Sequence, residues 1–179
     1  MSLKRHPHTP AHLFVDDTPY FITAAIHEKR RLLADADLKA QLLEMIQENF
    51  QAVGWQLNDW VILDNHYHLL GVSRKGTDLS KIMGRTHYHS AHEIRLATGC
   101  ETPVWWNYWD YCPRDEREYL VRLNYLLTNP IKHGYVENLR DYPFSSFHRL
   151  LETEGRESLV KQFYDYPEYK DLKIVEDEF

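Results

Sequence analysis

Two histidines set two residues apart inside an apolar run constrain this chain more than any other feature: Trp60-Val61-Ile62-Leu63-Asp64-Asn65-His66-Tyr67-His68-Leu69-Leu70-Gly71. Val61 to Leu63 read as the end of one buried strand, Asp64-Asn65 has turn chemistry, and Leu69-Leu70 resumes the apolar run, so the stretch predicts a hairpin. Side chains alternate across a strand, which puts His66 and His68 on one face and Tyr67 on the other. Two same-facing imidazoles are either ordinary half-buried histidines or the grip on one metal ion, and a bare His-x-His does not separate these readings. Burying a charged or metal-free imidazole pair at the start of an inner strand is costly, which weighs toward the metal.

The rest of the chain supplies elements around that hairpin. Pro19 to Ile26 is β-branched and aromatic and reads as a first strand, followed by the cationic cluster His27-Glu28-Lys29-Arg30-Arg31. That cluster is either a solvated loop or a phosphate contact through Lys29, Arg30 and Arg31. Leu38, Leu42, Met45, Ile46, Phe50 and Val53 recur at helical spacing and Gly54 marks the stop. A second helix spans about Leu79 to Ala97, with Thr77 or Asp78 expected as its cap. Its His87-Tyr88-His89 cannot copy the strand geometry, because helical positions two apart lie on different faces. His89 and His92, three apart, could share a ligand, though surface or groove positions are the expectation for His87, His89 and His92.

Val104 to Trp109, dense in aromatics, predicts a fourth strand whose rings either fill the core or stack unpaired bases. Pro113 is expected to open a third helix, with Glu116 and Glu118 near its positive end. Along it Leu120, Leu123 and Leu127 form an apolar stripe, while Glu118, Arg122, Tyr125 and Asn129 share another face. The helix is expected to stop at Asn129, since the residue before Pro130 is pushed out of helical geometry.

Composition limits the setting. The 179-residue chain has ordinary charge usage and 43% hydrophobic residues, which predicts one sizeable domain. No run has the length of a membrane span, no apolar signal segment follows Met1 to Pro7, and Cys100 and Cys112 read as free thiols, so cytoplasm is the expected compartment. The net charge of −6 argues against a phosphate-rich partner. That charge is concentrated at the end, however: from Leu151 onward nine acidic residues face four basic ones, and the first 150 residues are close to neutral.

Strand, helix, strand, strand, helix, strand, helix is the order of a ferredoxin-like α+β sandwich: a four-stranded antiparallel sheet with helices packed on one face and a further C-terminal helix. On that order, Asn65-His66-Tyr67-His68-Leu69-Leu70 followed by Tyr125-Leu126-Leu127-Thr128-Asn129-Pro130-Ile131-Lys132-His133-Gly134 resembles the single-tyrosine HUH transposases, and within them the REP-associated tyrosine transposase group. The resemblance covers most of Tyr20 to Phe147. It implies a transposase-like domain over residues 1–150 with an acidic extension over 151–179. It further implies that His66, His68 and Asn129 hold a divalent metal, Mg²⁺ or Mn²⁺, and that Tyr125 is a nucleophile forming a 5′-phosphotyrosine on single-stranded or hairpin DNA. Arg122 and Lys132 join Lys29, Arg30 and Arg31 as candidate DNA contacts. Tyr67 stands where the family has a bulky aliphatic residue, and Asp64 where the group often has proline.

The chemistry agrees with these residue types. A phenol with a reference pKa of about 10 is a poor nucleophile at neutral pH and becomes useful when a phosphate is held in line with its charge neutralised. Imidazole ligands by themselves also suit Zn, Ni, Fe or Cu. Two other functions fit the same residues: a non-catalytic single-stranded or hairpin nucleic-acid-binding module with the acidic extension masking its groove, and a metallohydrolase of small phosphoesters. The sequence leaves monomer and homodimer both open.

Overall fold

Alternation and helical periodicity resolve into four strands and five α-helices in the computed structural model, which describes His12 and residues 14–174. The strands are β1 (Pro19–Ile26), β2 (Gln56–Ile62), β3 (His66–Val72) and β4 (Trp105–Tyr111). They form one antiparallel sheet in the order β2-β3-β1-β4. The connecting helices are α1 (Ala36–Ala52) and α2 (Leu79–Thr98). The sheet is followed by α3 (Glu116–Lys132), α4 (Phe147–Glu154) and α5 (Arg156–Asp165). This is the expected ferredoxin-like α+β sandwich.

Both faces of the sheet are buried, which is why β1 and β3 are buried along almost their whole length. Tyr20, Ile22, Ala24, Ile26, Tyr67 and Leu69 pack against Leu42, Ile46 and Phe50 of α1 and Ile82 and Met83 of α2. Phe21, Val61, Leu63 and Leu70 point the other way, into Leu123, Leu126 and Leu127 of α3, with Phe147, Leu150 and Leu159 behind them. α3 is thus the lid of the second face, and it crosses β2 and β3.

The ends of several elements differ from expectation. The β2–β3 loop has three residues, Leu63 to Asn65, closed by Leu63 N–H donating to His66 O at 2.9 Å. Neither Thr77 nor Asp78 caps α2 with its side chain; a 3-10 turn over Gly76–Asp78 leads in instead. α3 starts at Glu116, after Asp115 accepts from Glu118 N–H at 2.8 Å, rather than at Pro113.

At its other end α3 continues through Pro130 to Lys132. Pro130 removes one N–H, and the final turn is closed from beyond the proline. His133 N–H donates to Asn129 O, Gly134 N–H to Ile131 O, and Tyr135 N–H to Pro130 O at 2.9 Å. With Gly134 at φ 71°, this is the left-handed glycine stop that a side chain would strain.

His87 is not a surface histidine. It stacks on Trp105 at 4.4 Å and lies 2.9 Å from Tyr67 Oη, and burial lowers its pKa to about 3. Tyr67 therefore points away from His66 and His68, with its hydroxyl satisfied by a neutral imidazole. The cut between residues 150 and 151 falls inside α4, and the residues after it dock on α3. Asn124 donates to Gln162 O and Tyr166 O, Gln162 donates back to Asn124 Oδ1 at 2.7 Å, and Leu159 is buried.

Candidate active site

His66 and His68 open β3 on the α3 side of the sheet, with ring centroids 5.2 Å apart. Each is held by a neighbour to which the sequence reading gave no role beside the histidines. Thr23 on β1 pairs with His68 across the strands, and its hydroxyl meets His68 Nδ1 at 2.8 Å. Asn65 Oδ1 lies 2.7 Å from His66 Nδ1, while Asn65 Nδ2 donates to Lys29 O at 3.2 Å. That second bond orients the amide, so Nδ1 of His66 carries a hydrogen and Nε2 faces α3.

Opposite Nε2 is Asn129 Oδ1, 3.0 Å away. Asn129 is fully buried, and its Nδ2 has no hydrogen-bond partner. A buried amide whose donor end has no partner and whose oxygen meets an imidazole nitrogen offers that oxygen and nitrogen together to a cation. For an octahedral ion with ligands at about 2.1 Å, neighbouring donors sit about 3.0 Å apart, which matches the spacing found. Among the described residues no group of three His, Cys, Asp or Glu is placed to hold a metal ion. The groups that could hold one here are the imidazoles of His66 and His68 with the amide oxygen of Asn129.

Tyr125 lies one turn before Asn129 on the same helix, so both project toward the histidines. Its ring meets His68 edge-on at 5.5 Å, with Phe21 6.3 Å away, and it is 2% exposed. Lys132, two turns along from Tyr125, donates from Nζ to Tyr125 Oη at 2.7 Å. Sequence reading made Lys132 a candidate DNA contact; in this structure its ammonium sits on the phenol. His133 completes the cluster, its ring 4.8 Å from that of His66. All these groups come from one chain.

The other basic candidates divide. Arg30 ties loops together, donating to His27 O, Glu101 O and Pro103 O. Arg31 donates from Nε and Nη2 to Asp64 Oδ2, at 3.0 and 2.6 Å. Lys39 of α1, 5% exposed, takes the other oxygen of Asp64 at 2.7 Å, so the loop next to Asn65 is anchored by a buried ion pair. Lys29 is exposed. Arg122 lies over the Tyr111 ring at 3.5 Å, and burial lowers the pKa of its guanidinium.

The family model described as IS200-like transposase matches residues 15–110, more than half of the chain. The chain belongs to that family. Among IS200-like transposases it is similar to the REP-associated tyrosine transposase of Escherichia coli K12, 30% identical over 96 residues. That alignment covers 53% of this chain and 56% of the relative, so the chain spans about half the length of the curated protein it matches. In three dimensions this IS200-like protein is similar to a solved REP-associated tyrosine transposase bound to a REP hairpin. The TM-score is 0.68 at 24% identity, over 87% of this chain and 88% of that one, a likeness of fold. The matched residues 15–110 include the histidine pair and stop before α3. Among the described residues no helix is long and apolar enough to cross a membrane.

Proposed function

We propose that this IS200-like transposase cuts and rejoins single-stranded DNA beside a hairpin, with Tyr125 as nucleophile and a divalent cation, Mg²⁺ or Mn²⁺, held by His66, His68 and Asn129. The observation that carries the reading is the meeting of a phenol from α3 with the paired imidazoles of β3 inside a single chain. The solved relative named for its REP hairpin supports hairpin DNA as the partner.

When bound, the cation neutralises charge on the scissile phosphate and polarises its oxygen. Asn65 and Thr23 fix which imidazole nitrogens face the site. Lys132 holds the phenolic oxygen in place and supports it once its proton has left to solvent. Tyr125 Oη then attacks phosphorus; the bond to the 3′ oxygen breaks and that oxygen takes a proton. The products are a 5′-phosphotyrosine and a 3′-hydroxyl. Because the phosphodiester energy is kept in the tyrosyl ester, a 3′-hydroxyl reverses the step and rejoins the strand without a nucleotide cofactor. Tyr125 must turn toward the strand to react, since it is 2% exposed here.

The test is a covalent adduct. Incubation with Mn²⁺ and a hairpin oligonucleotide carrying an unpaired flank is expected to give a species that survives denaturing electrophoresis. Tyr125→Phe should abolish it with an unchanged circular dichroism spectrum, and adduct persisting in that variant would overturn the assignment.

A further inference from the structure

The sheet face that carries the histidines continues past them onto β4. Pairing of β1 with β4 runs Thr23 to Trp109 and Ala24 to Tyr108, then slips, so that Ile26 meets Trp105. Ala25 therefore faces two residues, Trp106 and Asn107, in a β-bulge. Ala25 itself pairs with His66 on its other side. Tyr108 and Trp105 both pack into the α1–α2 core, so the extra residue lets Trp106 and Asn107 share the face of Ala25 and His66. Bulges are enriched beside active sites for this effect, the re-aiming of a side chain.

Two rows result. One runs His68, Thr23, Trp109; the other runs His66, Ala25, Trp106. A threonine and an alanine, each 4% exposed, stand between the imidazoles and the indoles. Two inter-strand steps make the separation roughly 10 Å, the reach of a nucleotide next to one seated at the histidines. α3 crosses β2 and β3, on the other half of the sheet. Trp106 is 38% exposed, and its ring stacks on His27 at 5.0 Å with 19° between the planes, which holds the indole in one orientation.

We propose that Trp106, backed by His27 and flanked by Trp109, is a stacking shelf for an unpaired nucleobase of the DNA strand that enters the site. The inference rests on the single-strand reading above and adds where the base next to the cut is held. A rigid aromatic face suits any base, since every base has a π-surface, and stacking of this kind is sequence-tolerant. The shelf thus supplies grip, and sequence choice lies elsewhere.

The test compares a blunt hairpin with the same hairpin carrying an unpaired flank. Binding is measured by fluorescence anisotropy with chelator present, so that no strand is cut. Trp106→Ala is expected to weaken binding of the flanked hairpin roughly tenfold and leave the blunt hairpin unchanged, while Trp106→Phe keeps most of the affinity. Equal binding of the flanked hairpin by wild type and Trp106→Ala removes the shelf, as does an equal loss on both hairpins. A shift of Trp106→Ala from dimer to monomer in light scattering, with DNA binding unchanged, makes the surface a contact between copies and also overturns the proposal. The Mn²⁺ adduct assay on wild-type protein judges the strand-cutting reading separately: adduct with no effect of Trp106→Ala fails the shelf alone, and absence of adduct fails the cutting.

Discussion

Thr23 and Asn65 are the residues on which the site's order depends without their being ligands. Each meets a ring nitrogen that would otherwise turn the imidazole, and removal of such a partner weakens metal binding by about 10–100-fold in known sites. Thr23→Val keeps the shape and deletes the hydroxyl. Mn²⁺ affinity measured by calorimetry should fall by about that factor, with a stability loss of about 1 kcal/mol from the lost buried hydrogen bond; unchanged affinity would remove the His68 assignment. Lys132 is tested by rate. Lys132→Met should slow adduct formation while hairpin affinity stays near wild type, whereas Lys132→Arg should recover part of the rate. A Lys132→Met variant that loses affinity and keeps its rate would make Lys132 a DNA contact instead.

The hairpin that presents the histidines is anchored from α1, and this is where sequence reading was least informative. That His66 and His68 share a face was legible because strand alternation is a local rule, and that Tyr125 and Asn129 project together because a spacing of four is the helix's own; the roles given to them came from the family resemblance. The partners that hold them were not. Lys39 looks like any polar residue of an amphipathic helix until its ammonium meets Asp64 in a buried pair. The β4 bulge depends on two strands finding their register, and nothing in Trp105-Trp106-Asn107 marks it. Asn129 reads as a helix end because the proline rule is local, whereas the closing bonds reach forward to Gly134 and Tyr135. Lys39→Met tests the anchor. It leaves Asp64 buried with Arg31 as its remaining cation, so a loss of about 3 kcal/mol in urea unfolding is expected. A loss under about 1 kcal/mol would show that Arg31 alone holds the loop.

At the scale of the molecule, the neutral interior of one sheet face makes the protein sensitive to acid. His87, held by burial at a pKa of about 3, is neutral in the folded protein where the unfolded chain, with a reference value of about 6.5, already binds a proton. Unfolding is therefore favoured as pH drops from about 6.5 toward 3, and His87 contributes up to about 1.4 kcal/mol per pH unit in that window. His87→Gln still accepts from Tyr67 and does not titrate. Its denaturation midpoint should decline less steeply with acid than that of wild type, and parallel declines would place the acid sensitivity in other groups.

The C-terminal segment sets the other limit on stability, because α3 is clamped between the sheet and the residues beyond Gly155. Leu159 is 3% exposed, Phe163 packs on Tyr169, and Arg117 pairs with Glu168. Cutting after Gly155 would uncover that apolar surface and leave the amide of Asn124, fully buried here, without Gln162. An orphaned buried polar group costs about 1–3 kcal/mol, and the exposed side chains add a comparable amount. At about 2–4 °C per kcal/mol for a chain of this size, the melting temperature should drop by roughly 10 °C. Cutting after Ile174 removes Glu176, Asp177 and Glu178 and keeps every contact named here. The two truncations separate support from masking. If the acidic residues at the end screen a DNA groove, the shorter cut tightens hairpin binding most at low salt; if the segment only braces α3, that cut leaves binding unchanged and the longer one loses it together with the fold.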